Sequence, residues 1–434
     1  MTMTSTADDA RPTAADTAPN APRLLLGHGR ALTEHVSAHG PLPALTGPEI
    51  IARTEQAGLT GRGGAAFPTG RKLAAVARGA GRKGTVVVAN GCEGEPASAK
   101  DRTLILNAPH LVLDGVQLAA RAVGARQAHL CVHEDEHDIR NTLTAALAER
   151  ATALPAEAPI TLTLVPHRYV ASEESALVRA LNGGPSLPAH TPPRPFERGV
   201  GGRPTLVDNV ETLAHLALIA RHGSAWFRAR GTATAPGTTL VTIGGAVRNP
   251  GVYEIPLGIT GADLLALAGG AGAPLQAMLC GGYFGSWLPA DTFAGTEISA
   301  PGLAAAGSAI GAGVFVALPR TSCALAETAK IAAYLAGQSA RQCGPCLHGL
   351  PALAKALREL AASGGTRPAH NLQALMPYIE RRGACRHPDG ATRLIASALR
   401  AFPEEVRAHA DRKRCPAVHR AEQRDPHQGR RYGT

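Results

Sequence analysis

The sequence predicts an α/β fold in three parts: a Rossmann-like domain built on a parallel sheet, a small β-grasp (ubiquitin-like) insert, and a C-terminal four-helix bundle. Three observations support this prediction. Apolar runs alternate with helical patterns in the first half of the chain, two strand-like runs follow around an Asn-Pro-Gly turn, and apolar residues have helical spacing throughout the last part.

The alternation in the first half is typical of βαβ units. Strands are predicted at 85–89, 129–133 and 160–165, and helices at 47–57, 109–123, 137–150 and 173–181. Parallel sheets bind ligands at the carboxyl ends of their strands. We therefore expect a functional site in the loops that follow these strands.

The rest of the chain is predicted to change architecture twice. Between 233 and 272, two strand-like runs and a helix at 261–268 indicate the insert, and a loop-rich connector follows to 312. Helices at 325–336, 347–362, 371–381 and 390–407 form the bundle. The predicted divisions are a disordered tail at 1–22, the α/β domain at 23–232, the insert and connector at 233–322, the bundle at 323–408 and a basic tail at 409–434.

Composition narrows the function classes. Of the 434 residues 18% are charged, and no apolar run reaches the roughly 18–20 residues of a bilayer span, so we expect a cytoplasmic protein without one. The N-terminus lacks the basic start and apolar stretch of a signal peptide.

The net charge is +10, and residues 407–434 hold eight Lys/Arg against three Asp/Glu, hence +5. Because aromatic residues are only 3%, nucleic-acid binding is not expected. The basic tail is either a solvated extension or a docking site for an acidic partner.

A glycine-rich basic loop is the first stretch with the composition of a binding site. It runs from Gly61 to Lys72 as GRGGAAFPTGRK. Its four glycines let the backbone approach a ligand closely, and Arg62, Arg71 and Lys72 add positive charge. These properties indicate a phosphate cradle. A plain surface turn is the alternative, because the loop is neither a G-x-G-x-x-G nor a Walker pattern.

Three polar segments follow predicted strands or begin predicted helices. The segment 90–96 (NGCEGEP) follows the first strand, and its amide and two carboxylates suit hydrogen bonding to a heterocycle or a ribose. In the segment 172–175 (SEES), Ser172 can cap the next helix, and Glu173 and Glu174 favour its positive end. The segment 207–212 (VDNVET) offers three polar groups at a helix start. For the first two segments, capping of the next helix is the alternative role.

Three of the eight cysteines are clustered. Cys343 and Cys346 form a C-x2-C pair and Cys385 follows one helical unit later, which indicates a metal rather than a disulfide in a cytosolic protein. Cys131 lies inside a predicted strand and is expected in the core. Cys415 is expected to be exposed and free.

The order of these motifs resembles that of the NADH-binding flavoprotein subunit of respiratory complex I, and of the related subunits of NAD-dependent hydrogenases and formate dehydrogenases. In that family the glycine loop reads GRGGAGFPTG-x-K, and the later segments read N-A-D-E-G-E-P, G-E-E-T-A-L and V-N-N-V-E-T. A β-grasp insert and a helical bundle with C-x2-C-x2-C and a distant cysteine come next. The resemblance covers residues 45–408 of this chain.

The resemblance implies an FMN site, a nicotinamide nucleotide site and an iron–sulfur cluster, with no separate acid–base catalytic residue. The implied contacts with the FMN phosphate are Gly61, Gly63, Gly64 and Lys72, and those around the flavin are Asn90, Glu173, Glu174 and Asn209. The implied contacts with the nucleotide are Glu95 and Phe67, and the implied ligands of a [4Fe–4S] cluster are Cys343, Cys346 and Cys385.

This chain departs from the family pattern at several positions. Cys92 and Asp208 replace Asp and Asn, Ala66 and Ser172 replace glycines, and Ala75 and Arg194 correspond to two phenylalanines that sandwich the adenine. Because an arginine can stack or hold a phosphate, both NADH and NADPH stay open as substrates.

The predicted cluster lacks one ligand, because the first cysteine of the family motif falls on Ala340. The candidates for a fourth ligand are Cys323, His348 and His387. A Cys₃His zinc site is a competing interpretation, and three thiols without metal are a third.

These observations predict a divergent NADH dehydrogenase, a flavoprotein that passes electrons from NAD(P)H through FMN to the cluster and on to a protein or quinone-linked acceptor. We expect a redox partner such as a ferredoxin or a complex I-like subunit. The expected location is the cytoplasm, either free or at the periphery of a membrane complex. The alternative is a non-catalytic binding or assembly subunit that keeps the fold with degenerate cofactor sites.

Overall fold

The computed structural model describes residues 22–26, 29–413 and 415–417, so nearly all of the predicted tail at 1–22 and most of the basic tail lie outside the described residues. The α/β part begins with α1 (Leu32–His39), α2 (Gly47–Ala57) and α3 (Thr69–Arg78). It continues with β1 (Val86–Asn90), α4 (Lys100–Asn107), α5 (Pro109–Val123), β2 (Ala128–His133), α6 (His137–Ala153), β3 (Ile160–Val165), α7 (Glu174–Leu181), β4 (Thr205–Asn209) and α8 (Val210–Arg228).

Four parallel strands form the sheet of this part, in the order β3-β2-β1-β4. The three predicted strands and the βαβ alternation are confirmed. The strand β4 is absent from the prediction, because its five residues TLVDN end in the polar groups that indicate a helix start. Asn90 of β1 is paired in register with Asn209 of β4, so the two strands deliver their last side chains to the same edge of the sheet.

The helix α5 is buried along nearly its whole length and packs against α8. The two helices approach so closely that an added Cβ at Gly115 would lie 2.0 Å from the carbonyl oxygen of Leu213. Only glycine fits at this contact. Cys131 of β2 is fully buried, as predicted.

The insert is a second sheet. It contains β5 (Thr238–Gly245), β6 (Gly251–Pro256), α9 (Gly261–Leu267), β7 (Leu275–Cys280), β8 (Ser286–Pro289), α10 (Ala290–Gly295), α11 (Ala300–Ala305) and β9 (Val314–Pro319). The strand order is β6-β5-β9-β7-β8, with β5 and β9 parallel. The prediction of a loop-rich connector up to 312 is wrong, because β8, α10 and α11 lie within it. These elements have only four to six residues, too few to show a period.

Helices form the C-terminal part. They are α12 (Ala324–Gly337), a π-helical turn (Pro345–Gly349), α13 (Leu350–Ala362), α14 (Thr366–Leu375), α15 (His387–Ala401) and α16 (Pro403–Ala410). The predicted helix at 390–407 is two helices, because Pro403 begins a new one. The predicted helix at 371–381 ends at Leu375, before a short 3₁₀ turn that contains Pro377.

Among the residues that the structure describes, no helix combines the length and the apolar character needed to cross a bilayer.

Candidate functional site

A cleft of about 590 Å³ lies where the carboxyl ends of β1 and β4 meet the glycine loop and the bundle. This volume is ordinary for a small-molecule site. Of the ten residues predicted around a cofactor or nucleotide, eight line it: Gly61, Gly63, Phe67, Lys72, Asn90, Glu173, Glu174 and Asn209. Gly64 and Glu95 do not line this cleft. Cys385 does, so one of the clustered thiols borders the same space.

The glycine loop forms one wall of the cleft. The N–H of Gly61 donates to the carbonyl of Phe67 over 2.9 Å, which closes the loop on itself. Gly63 packs against the end of β4, since an added Cβ would lie 3.4 Å from the Cβ of Asn209. A larger side chain at position 63 would therefore crowd the end of β4 at the wall of the cleft.

Two residues of this loop adopt left-handed backbone. Gly64 has a φ of 105°, a conformation that favours glycine, so Gly64 shapes the turn. Ala66 has a φ of 50°, which costs an L-residue roughly 1–2 kcal/mol. The loop thus keeps a glycine-type conformation at a position where this chain has alanine.

The basic side chains of the loop point in different directions. Arg62 is buried, and its guanidinium donates to the carbonyl of Thr238 over 3.0 Å at the start of the insert. The prediction that Arg62 lends charge to a phosphate cradle is therefore wrong. The ammonium of Lys72 donates to the carbonyl of Val207 and lies 3.9 Å from the carboxylate of Glu174. Lys72 is the cation that the loop presents to the cleft.

The two asparagines at the ends of β1 and β4 are held by hydrogen bonds. Nδ2 of Asn90 donates to the carbonyl of Ser172 over 2.8 Å. Nδ2 of Asn209 donates to the carboxylate of Asp101 over 2.7 Å, and its Oδ1 accepts the N–H of Glu211 at 3.0 Å as the cap of α8. Both amides are thereby oriented before any ligand arrives.

Glu173 caps α7, since its carboxylate accepts the N–H groups of Ser175 and Ala176 at 3.0 and 3.2 Å. The prediction that Ser172 caps this helix is wrong, because its hydroxyl donates to the carbonyl of Tyr169 instead. Burial raises the pKa of Glu173, although the hydroxyl of Ser175 opposes the rise. The helix start therefore fixes Glu173 at the wall of the cleft.

Asp208 supplies an unsatisfied polar atom to the cleft. Its Oδ2 is buried and has no hydrogen-bond partner among the described residues, and the residue lines the cleft. Burial raises the pKa of this carboxyl, and the ammonium of Lys72 partly offsets the rise. Because buried polar atoms are rarely left without a partner, Asp208 indicates a ligand with a hydrogen-bonding group.

Glu95 lies outside the lining of the cleft, where a loop of the insert meets the α/β part. Its Oε2 accepts hydrogen bonds from the hydroxyl of Tyr169 at 3.1 Å and from the N–H of Tyr283 at 2.8 Å. Burial is the main cause that raises the pKa of Glu95 to about 7. An added Cβ at Gly282 would lie 2.6 Å from the same oxygen, so this approach requires glycine.

A buried ion network lies behind the cleft; the sequence predicts an ion-pairing run at 100–102 but not its link to Glu211. The ammonium of Lys100 lies 2.7 Å from Asp101, 2.8 Å from Glu211 and 3.3 Å from the amide oxygen of Asn209. Glu211 also accepts the N–H of Leu240 at 2.8 Å and so ties the insert to α8. Burial raises the pKa of Glu211, but Lys100, His215 and Arg62 together outweigh burial and hold the pKa well below its usual range. The available signal was the adjacent lysine and aspartate at the start of α4.

The three clustered cysteines lie close enough to influence one another. Cys346 is buried, and Cys343 and Cys385 are half-buried. Burial raises the pKa of Cys346 to about 12, and the thiols of Cys343 and Cys385 add to the rise. The bundle thus offers three soft ligands, one of which borders the cleft.

The three candidates for the fourth ligand of the cluster differ in position and in exposure. Cys323 lies with His409 and Cys415; Cys415 forms no disulfide among the described residues, as predicted, but it is half-buried rather than exposed. His348 is exposed on the π-helical turn. Nε2 of His387 donates to a backbone carbonyl of α12 over 2.8 Å, and its Nδ1 is buried without a partner among the described residues.

Basic residues of the bundle complete the cleft. Arg381 and Arg386 line it together with Asp389, and Arg386 pairs with Asp389 at 3.0 Å. The signal for them was the basic character of the segment around Cys385. Arg194 lines the cleft as well.

Comparisons with known proteins agree with this architecture. Three family models match the chain: the Nuo51 FMN-binding domain over residues 54–218, the SLBB domain over 240–278, and the NADH-ubiquinone oxidoreductase-F iron-sulfur binding region over 326–409. The chain is 32% identical over 404 residues to an NADH-quinone oxidoreductase F subunit (number 2) of Rhizobium meliloti (strain 1021), covering 90% of this chain and 94% of that protein. It is 30% identical to the NADH-quinone oxidoreductase F subunit of Escherichia coli (strain K12), covering 87% and 88%.

Solved structures show the same fold. The chain is similar to a chain of the NAD⁺-reducing [NiFe]-hydrogenase in the H₂-reduced state, with a TM-score of 0.77 and 30% identity over 91% of this chain. In the air-oxidized state of that enzyme the TM-score is 0.80, with 29% identity over 95% of this chain. The match covers 66% and 72% of the respective hydrogenase chains, so about a third of the hydrogenase chain has no counterpart here.

Proposed function

The chain belongs to the family of NADH-quinone oxidoreductase F subunits, and on that premise we propose how its own residues serve an FMN- and iron–sulfur-dependent NADH dehydrogenase. Electrons enter from NAD(P)H and leave through the cluster to a separate redox protein. The observation that carries this proposal is one cleft that is lined by the glycine loop, by the ends of β1 and β4, and by Cys385.

The residues of the cleft fit a flavin mononucleotide. The backbone of Gly61 and Gly63 and the ammonium of Lys72 would hold the phosphate, since glycines admit close approach and Lys72 is the loop's cation at the cleft. The oriented amides of Asn90 and Asn209, with the carboxyls of Glu173 and Glu174, would hold the ring through fixed hydrogen bonds. Gly64 would act by shaping the turn.

FMN also fits the cleft at Asp208, whose buried Oδ2 has no hydrogen-bond partner within the described part of the chain. The flavin ring carries both donors and acceptors, so it can supply the missing hydrogen bond. The chemistry that FMN supplies when bound is the conversion of a two-electron hydride transfer into single-electron steps. The role of the protein is to bind and orient FMN and to exclude water from the cleft.

Cys343, Cys346 and Cys385 would hold the iron–sulfur cluster as thiolates. Burial raises the pKa of Cys346 and Cys385, so cluster assembly must release protons from these two thiols. Ala340 takes the position of the remaining cysteine of the family motif, and we assign three protein thiolates to the cluster.

The nucleotide would bind on the outer side of the cleft. Phe67 is 52% exposed there and offers a flat apolar face. Arg194, Arg381 and Arg386 give this region positive charge, which favours the phosphates of NADH or NADPH. Glu95 lies outside the lining of the cleft, so we assign it the positioning of the insert loop at Tyr283 rather than a contact with the nucleotide.

The electron acceptor would be a small acidic redox protein of the ferredoxin type, or a complex I-like subunit. The residues from 407 onward, with their charge of +5, would attract such a partner. The α/β part would carry the flavin and nucleotide, and the bundle would deliver electrons to the partner.

Cofactor content of matched glycine variants tests the proposal. In Gly63→Leu the new side chain enters the cleft, and we expect the purified protein to lose FMN but keep its iron. In Gly295→Leu, on the exposed end of α10 where an added Cβ meets nothing within 4 Å, both cofactors should be retained. A colourless, folded wild-type protein, or an FMN content that Gly63→Leu leaves unchanged, would refute the assignment and favour the non-catalytic subunit.

A further inference from the structure

A second group of metal-ligating side chains lies away from the cleft, where the start of α12 meets the end of the described chain. Cys323 is the residue before α12, His409 is in the last turn of α16, and Cys415 follows it. The ligand atoms of these three residues all lie within 4.8 Å of one another, and none of the three lines the cleft.

The spacing of the donor atoms matches that of a shared tetrahedral metal ion. Sγ of Cys323 lies 3.5 Å from Nε2 of His409. For zinc, with Zn–S of about 2.3 Å and Zn–N of about 2.0–2.1 Å, the tetrahedral angle separates a sulfur and a nitrogen ligand by about 3.6 Å. The pair is therefore already at the distance that one zinc ion requires.

The surrounding structure positions these donors. Gly365 donates its N–H to the carbonyl of His409 over 2.9 Å, and an added Cβ at Gly364 would lie 2.2 Å from that same oxygen. The carboxylate of Glu405 accepts the N–H of Ala324 at 2.8 Å, which joins α16 to the start of α12. These contacts bring His409 to Cys323 although the two are 86 positions apart in the chain.

We propose that Cys323, His409 and Cys415 bind one Zn²⁺ ion, which fastens the segment after α16 to the start of α12. Two thiolates and one imidazole suit zinc, which accepts mixed Cys and His ligands in tetrahedral sites. The carboxylate of Glu405 is engaged by Ala324 and by the side chain of Gln276 at 2.8 Å, so within the described part of the chain we assign three protein ligands and leave the fourth position to water.

Metal content of the full-length holoprotein tests this site. We expect about one zinc ion per chain in addition to the iron of the cluster, and at least a tenfold loss of zinc in Cys415→Ser and His409→Ala with iron and FMN unchanged. The matched controls are Cys280→Ser in the insert and His370→Ala on the exposed face of α14, and both should retain zinc.

X-ray absorption at the zinc edge of the wild-type protein gives a second readout that does not depend on the folding of a variant. We expect two sulfur ligands and one nitrogen ligand in the first shell. Three outcomes would overturn the proposal: zinc that is lost in Cys385→Ser but not in Cys415→Ser, a disulfide between Cys323 and Cys415 in protein purified without oxidant, or wild-type protein that binds no zinc when Zn²⁺ alone is added.

Discussion

The hydroxyl of Tyr169 donates a hydrogen bond over 3.1 Å to Oε2 of Glu95, the same oxygen that accepts the backbone N–H of Tyr283. Tyr169 packs with the core of the bundle, Glu95 follows β1, and Tyr283 belongs to the insert. One buried carboxyl thus joins the α/β part to the insert, through a tyrosine that also packs against the bundle.

Replacing Glu95 by Gln should remove a pH dependence of stability. Burial raises the pKa of Glu95 from 4.5 to about 7, so its contribution to stability is fully present below about 4.5 and is lost as the pH rises through about 7. Between about pH 5 and about pH 8 we expect the wild type to lose stability relative to Glu95→Gln by on the order of 1–3 kcal/mol. Urea unfolding of both proteins across this range measures the difference. A constant difference would show that Glu95 does not titrate there.

Replacing Lys100 by Met should destabilise the protein strongly. The change leaves the carboxylates of Asp101 and Glu211 buried without their cation, which typically costs roughly 3–5 kcal/mol. The matched control is Lys330→Met, because Lys330 forms an exposed pair with Glu327 on α12. Calorimetry should show a large drop in melting temperature for the first variant and little change for the second. Equal effects of the two changes would contradict the importance of the buried network.

Replacing Ala66 by Gly should stabilise the glycine loop. Ala66 has a φ of 50°, and the strain that glycine would relieve is larger than the entropy that glycine costs, so we expect a gain of about 0.5–1 kcal/mol. In the control Ala65→Gly the backbone is not left-handed, and stability should fall by a similar amount. Urea midpoints of the two variants compare them directly. A loss of stability in Ala66→Gly would mean that the loop carries no strain.

Replacing Ala340 by Cys should strengthen the iron–sulfur cluster. The change returns a thiol to the position of the missing cysteine, and we expect iron loss to a chelator to slow by at least about tenfold, since even outer-shell contacts change metal affinity by that factor. The control Ala362→Cys places a thiol on the exposed end of α13 and should leave the rate unchanged. If both variants behave like the wild type, Ala340 does not lie at the cluster.

Neutralising the basic tail should weaken electron transfer to an acidic acceptor. We would replace Arg420, Arg424, Arg430 and Arg431 by Gln, which leaves the zinc ligands intact. At low salt the reduction rate of a ferredoxin-type acceptor should fall about tenfold or more and lose most of its salt dependence, because steering by exposed charges is screened by ions. The reduction of FMN by NADH should be unaffected. A rate that keeps its salt dependence would exclude the tail as the docking element.

Local patterns were sufficient to predict much of the fold. The strands β1, β2 and β3 and the helices α2 and α5 follow from apolar periodicity, and the parallel sheet follows from their alternation. The same patterns failed for β4, where five residues end in polar groups, and for the short elements of the insert.

The site was predictable where its residues follow one another along the chain, and not where it depends on distant contacts. The order of the motifs identified the residues of the cleft wall. The inward turn of Arg62 toward Thr238 and the pairing of Lys100 with Glu211 join positions more than a hundred residues apart. Cys415 and Cys323 are 92 positions apart, and they too meet only after the bundle has folded.

The most direct test of the central claim is anaerobic titration of the purified holoprotein with NADH and with NADPH, followed by optical and electron paramagnetic resonance spectra. If the cleft joins a hydride-accepting flavin to the cluster at Cys385, one of the nucleotides should bleach the flavin absorbance, and the signal of a reduced cluster should appear in the same sample. Flavin that neither nucleotide bleaches, or a bleached flavin beside a cluster that stays oxidised even with excess nucleotide, would contradict the account.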